Sequence, residues 1–202
     1  MIWKALLAGV VIAFGIEGFS PATGADSLLI VALGASNTYG AGVSRKDAYP
    51  AQLEALLRAE RLDVRVKNEG IERGQTTDVM LSNLRSTVPQ GTHIVILQPG
   101  GHDGAMPNTK ENYTAENVKR IVVTLRERHI EVLIIGGPKL RGRELQELAD
   151  KYDALAAPPF GRIALSQRQP ADQQHFTPAG YRMIAERLLP LVKQLVARIR
   201  ER

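Results

Sequence analysis

Short apolar runs alternate with segments of helical periodicity from residue 26 to the end of the chain. Leu28 to Leu33 is apolar without interruption and stops at Gly34, the pattern of a strand buried on both faces. Ala51 to Leu62 sets Leu53, Leu56, Leu57 and Leu62 on one helical stripe. Val64 to Lys67 reads as a short strand and Thr77 to Leu84 as a helix. His93 to Gln98 reads as a second apolar strand, closed by Pro99-Gly100-Gly101. Thr114 to His129 is helical, with Val118, Ile121, Val122 and Leu125 on one face, and Glu131 to Ile135 is a strand that ends at Gly136-Gly137-Pro138. The spacing predicts a further helix over Leu145 to Leu155 and a weak fifth strand over Arg162 to Leu165. Thr177 and Pro178 suit the cap and first turn of a last helix. That helix carries Ile184, Leu188, Leu191, Val192, Leu195, Val196 and Ile199 at spacings of three and four, and Pro190 is expected to kink it.

Strands separated by helices imply right-handed crossovers and a parallel sheet covered on both faces. The expected architecture is a three-layer α/β/α sandwich around a five-stranded, flavodoxin-like parallel sheet. Ligands in such folds sit beyond the carboxyl ends of the strands. No repeat or linker divides residues 26–202, so one domain is expected there.

Composition changes the picture in three places. The chain of 202 residues has a net charge of +5, yet its basic residues are spread among acids. The densest basic stretch, Lys193 to Arg202, alternates with apolar residues as a solvated helix face does. No aromatics interleave with it, so a nucleic-acid partner has no support. The absence of cysteine removes disulfides, a thiolate nucleophile and cysteine metal sites. At the start, Lys4 precedes an apolar run from Ala5 to Ile16, followed by small residues up to Ala25. This is the layout of a signal peptide, and the run falls short of the ~20 residues that span a bilayer. Residues 1–25 are expected to be cleaved off, leaving a periplasmic or secreted domain, 26–202, with no stable membrane span. Nothing in the sequence demands more than a monomer.

Three segments at predicted strand ends carry candidate chemistry. Gly34-Ala35-Ser36-Asn37-Thr38-Tyr39-Gly40 follows the first strand; a serine there points into the crevice, although small-residue turns commonly contain serine for conformational reasons alone. Asp172-Gln173-Gln174-His175 precedes the last helix. A serine hydroxyl needs a base, and an imidazole works best when a carboxylate fixes its tautomer; the plain alternative is an exposed loop. Gln98-Pro99-Gly100-Gly101-His102-Asp103-Gly104 follows the third strand. His102 can donate an N–H to an oxyanion or cap the loop, and Asp103 can brace the loop or act chemically.

Together these segments resemble the SGNH hydrolases, the GDSL esterase and lipase family. Gly34-Ala35-Ser36-Asn37 stands in place of Gly-Asp-Ser-Leu, and Asp172 and His175 match the Asp-x-x-His block before Thr177-Pro178-Ala179-Gly180-Tyr181. Gly100-Gly101-His102-Asp103 matches Gly-x-Asn-Asp, with His102 where the family has asparagine. Gly74, or alternatively Gly70, matches the oxyanion glycine. Asp26 to Ile30 and Gly101 to Gly104 are most similar to the small exported thioesterase, arylesterase and lysophospholipase branch. The resemblance implies a nucleophile at Ser36, a base at His175 oriented by Asp172, and an oxyanion hole from Ser36, Gly74 and His102. It implies no metal or organic cofactor, and a small ester or thioester as substrate. Ala35 and His102 depart from the pattern, and losing one oxyanion donor typically costs about 2.7 to 4 kcal/mol. A binding protein impaired in catalysis, or an esterase for acetylated carbohydrate, are therefore the rival expectations.

Overall fold

The structure is a computed structural model describing residues 27–73, 75–103 and 113–202. The expected signal peptide and Gly74 lie outside the described residues. The strands β1 (Leu28–Gly34), β2 (Val64–Gly70), β3 (Thr92–Leu97), β4 (Glu131–Ile135) and β5 (Leu155–Ala157) form a parallel sheet in the order β2-β1-β3-β4-β5. The helices are α1 (Ser36–Tyr39), α2 (Tyr49–Ala59), α3 (Thr77–Ser82), α4 (Leu84–Thr87), α5 (Tyr113–Glu127), α6 (Gly142–Lys151), α7 (Phe160–Ile163) and α8 (Pro178–Arg200).

Alternate residues of each central strand feed two separate cores, which is why the apolar runs are unbroken. Ile30, Ala32, Ile94, Ile96, Leu133 and Ile135 pack with Leu53 and Leu57 of α2 and with Ile184, Leu188 and Val192 of α8. Val31, Leu33, Val95, Leu97, Val132 and Ile134 pack with residues of α3, α4, α5 and α6 on the other face. Each valine, leucine or isoleucine among them contributes about 1.5–3 kcal/mol when taken fully from water.

The chain leaves β1 for β2 on one side and β3 for β4 on the other. The connections therefore diverge at the carboxyl ends of β1 and β3, where a doubly wound sheet opens a crevice.

Three sequence expectations are corrected. The fifth strand is Leu155–Ala157, paired with Leu133, Ile134 and Ile135, whereas Arg162 to Leu165 contains the end of α7 and the start of a short 3₁₀ turn. The cause lies upstream: α6 stops at Lys151, Asp153 adopts a left-handed φ of 51°, and the freed Leu155 becomes strand. Pro158 and Pro159 follow at once, and proline cannot extend a ladder. The helix expected over Thr77 to Leu84 breaks at Asn83, which ends α3 and starts α4. β2 extends to Gly70 through Asn68 and Glu69; as an edge strand paired to β1 alone, it does not need an apolar sequence on both faces. α8 runs as one helix through Pro190, with Thr177 Oγ1 accepting from the Gly180 N–H at 3.2 Å.

Candidate active site

Ser36 is the first residue of α1, two positions beyond β1. The turn is clipped to the end of β3: Gln98 Oε1 accepts from the Ala35 N–H at 3.1 Å and from Thr38 Oγ1 at 3.0 Å. Gly34 permits this closure, since a Cβ there would lie 2.0 Å from Thr38 Oγ1. From the other side, Asn68 Nδ2 donates to the Thr38 carbonyl at 2.8 Å. The Ser36 N–H finds no acceptor among the described residues, as befits the first turn of a helix. Gly70 differs. Its N–H donates to Asn68 Oδ1 at 2.9 Å, so the alternative oxyanion glycine has its donor engaged.

The loop before α8 brings His175 to the serine. Its Nε2 lies 2.9 Å from Ser36 Oγ, and its Nδ1 lies 2.5 Å from Asp172 Oδ2. Gln173 between them takes a left-handed φ of 56°, which folds the Asp172 carboxylate back over the ring. Asp172 Oδ1 also accepts the backbone N–H groups of Gln174 and His175, at 2.9 and 3.0 Å. The hydrogen bond with the His175 ring, followed by these two N–H groups, lowers the Asp172 pKa to about 2. The loop is tied to the serine turn through Ala41: Gln169 Nε2 donates to the Ala41 carbonyl at 3.0 Å and to the Phe176 carbonyl at 2.8 Å. The buried Tyr181 hydroxyl donates to the same Ala41 oxygen at 3.3 Å.

The third segment packs against the start of α3. A Cβ on Gly100 would lie 2.7 Å from the Gln75 carbonyl oxygen and from Thr76 Cα, so only glycine allows this approach. Asp103 braces the junction, accepting from the Thr77 N–H at 2.7 Å, Thr77 Oγ1 at 2.8 Å and Thr114 Oγ1 at 2.7 Å. Its carboxylate oxygens are committed to this bracing. His102 Nδ1 is buried with no partner among the described residues.

Gln98, Asn68 and Gln169 also hold the two halves of the site together. Gln98 falls in the segment that follows the third strand, whereas Asn68 and Gln169 have no local pattern that marks them.

A serine, an imidazole and a carboxylate in hydrogen-bonded series at the crevice of a doubly wound sheet define the class of serine hydrolases. The chain matches the model of the GDSL-like lipase/acylhydrolase family over residues 32–183, and it belongs to that family of ester-bond hydrolases. Among solved structures it is similar to TesA (22% identity, TM-score 0.71, covering 83% of this chain and 99% of that one). It is also similar to the esterase EstA from Pseudoalteromonas sp., in a structure inhibited by monoethylphosphonate (18%, TM-score 0.70, 84% and 98%). The SGNH-hydrolase family esterase AlinE4 shares 27% identity (TM-score 0.60, 85% and 98%). No curated protein matches the chain by sequence.

Proposed function

We propose that this protein hydrolyses small carboxylic esters or thioesters through an acyl-enzyme on Ser36. The observation that carries the reading is the continuous series from Ser36 Oγ through His175 to Asp172, with contacts of 2.9 and 2.5 Å. His175 Nε2 takes the hydroxyl proton as Ser36 Oγ attacks the carbonyl carbon. The resulting tetrahedral oxyanion collapses with loss of the alcohol or thiol, which receives that proton from His175. Water then enters with His175 again as base, and the acid leaves as Ser36 is regenerated. Asp172 holds the imidazole in the tautomer that leaves Nε2 free to accept and stabilises the imidazolium.

The Ser36 N–H, which finds no acceptor among the described residues, supports its assignment as an oxyanion donor, and the family resemblance adds a side-chain N–H of His102 as a second. Gly74 completes the hole on the strength of the family resemblance. Export belongs to the same reading, with cleavage near Ala25 and a periplasmic or secreted product.

The decisive comparison is the parent protein with Ser36→Ala, on p-nitrophenyl acetate and butanoate. The substitution is expected to lower kcat by roughly 10⁴- to 10⁶-fold and to abolish labelling by a fluorophosphonate probe. Equal turnover by the two proteins would end the serine mechanism.

A further inference from the structure

A cleft of about 920 Å³ opens beside the candidate triad, over the carboxyl ends of β4 and β5. Asn37 and Gln174, the chain neighbours of Ser36 and His175, line it. Its apolar walls include Leu145, Pro159, Phe160 and Phe176. Among the described residues, the charged ones that line it are Arg141, Arg162 and Arg168, with no aspartate or glutamate. Arg168 is occupied, stacked 5.4 Å over the Phe176 ring and donating to the Gln173 carbonyl. Arg141 and Arg162 are exposed, and their guanidinium groups make no hydrogen bond or ion pair among the described residues. Asp172, two residues before Gln174, is turned to His175 and to two backbone N–H groups.

Two unpaired guanidinium groups beside low-dielectric walls create a positive field directed into the cleft. A neutral substituent gains nothing from that field. A carboxylate or phosphate gains both the field and the forked donor geometry of arginine, which is less strongly hydrated than an ammonium.

We infer that the cleft selects esters bearing an anionic group, held by Arg141 and Arg162 while the scissile carbonyl lies at Ser36. This deepens the serine-esterase reading and rests on it. The anion belongs either to the acyl part or to the alcohol part of the ester, and the two are separated by the choice of probe.

The acyl arm compares mono-p-nitrophenyl glutarate with p-nitrophenyl pentanoate, in which a methyl replaces the carboxylate. The alcohol arm compares 4-acetoxybenzoate with phenyl acetate. In each arm the quantity read is the ratio of kcat/KM for the anionic ester to that for the neutral one, so intrinsic ester reactivity cancels between proteins. The double variant Arg141→Gln/Arg162→Gln is expected to lower this ratio by roughly 5- to 20-fold in at least one arm, the range for two partly exposed ion pairs. Salt near 1 M is expected to reduce the parent's ratio in the same arm. Arg65→Gln, a neutralisation on β2 away from the cleft, controls for overall charge and should leave the ratio at the parent value. A ratio unmoved in both arms by the double variant, or moved equally by Arg65→Gln, overturns the anion cleft. Ser36→Ala run beside them distinguishes this failure from failure of the serine mechanism, which would appear as undiminished turnover of every ester.

Discussion

At residue scale, Asp172 and His102 carry the sharpest consequences. The Asp172 carboxyl titrates near 2 instead of 3.8, chiefly because it is hydrogen-bonded to the His175 ring. A depressed acid contributes stability that is complete above its unfolded value and is lost as pH falls through the folded one. The Asp172 contribution therefore persists to about pH 4 and disappears on approach to pH 2. Carbon-detected NMR titration of the Asp172 carboxyl checks this, and His175→Ala should move the midpoint up toward the ordinary value. Asp172→Asn should lower kcat by about 10⁴-fold with the fold intact, because the amide can no longer hold the catalytic tautomer. For His102, replacement by alanine should lower kcat/KM by roughly 100- to 1,000-fold through loss of one oxyanion donor. His102→Asn should retain more activity than alanine, and equal loss in both would argue against a donor role. Ser36, Asp172 and His175 were legible because their signals are local: a residue at a strand end and a three-residue spacing. Gln98 and Gln169 were not, since the partners through which they join the two halves of the site lie 60 to 128 residues away in sequence. A glutamine states nothing about its partner until the chain is folded.

At the scale of elements, glycines and caps set the positions of the loops that carry the chemistry. A Cβ at Gly70 would lie 2.1 Å from the Tyr39 backbone nitrogen and 2.5 Å from the Thr38 carbonyl carbon. The clash is with backbone, so no rotamer relieves it. Gly70→Ala should cost about 1–3 kcal/mol and, by displacing α1 and with it Ser36, should lower kcat as well; urea unfolding and steady-state rates read the two effects separately. Thr177→Ala removes the cap of α8 and should cost about 1 kcal/mol, with a smaller effect on rate because Gln169 and Tyr181 still fasten the His175 loop to Ala41. Element boundaries were legible where periodicity was strong, as in β4, and failed where turn geometry decided them. The left-handed conformation at Asp153, which converts the expected end of a helix into β5, has no hydrophobic signature. Nor does an edge strand such as β2, whose second half is polar and only partly buried.

At the scale of the whole molecule, the alternation of apolar strands and amphipathic helices was enough to give the layered architecture, because burial on both faces leaves a strong compositional trace. It gave no sign of what closes the sheet at the end opposite the triad. There Glu131, the first residue of β4, is fully buried and meets arginines from two helical regions. Arg126 lies 2.9 Å from its Oε1, Arg202 contacts the same oxygen, and Arg198 lies 3.5 Å from Oε2. That last distance is an ion-pair approach without a formed hydrogen bond. Asp153 completes the network through Arg126 and Arg198, at 2.8 and 3.2 Å. The energetic burden is unequal. Stripping away Arg126 and Arg198 leaves a buried carboxylate undercompensated, whereas removing Glu131 leaves arginines whose side chains are 20–49% exposed and can hydrate. Breaking a buried pair from the arginine side typically costs about 3–5 kcal/mol. Arg126→Met/Arg198→Met should therefore lose that amount in urea unfolding, and Glu131→Leu distinctly less. Turnover per folded molecule should stay at the parent value in both, since the network sits at the amino end of the strands and the triad at the carboxyl end. Equal losses from the two replacements would mean that the carboxylate is not the costly partner and that the arginines serve mainly as packing.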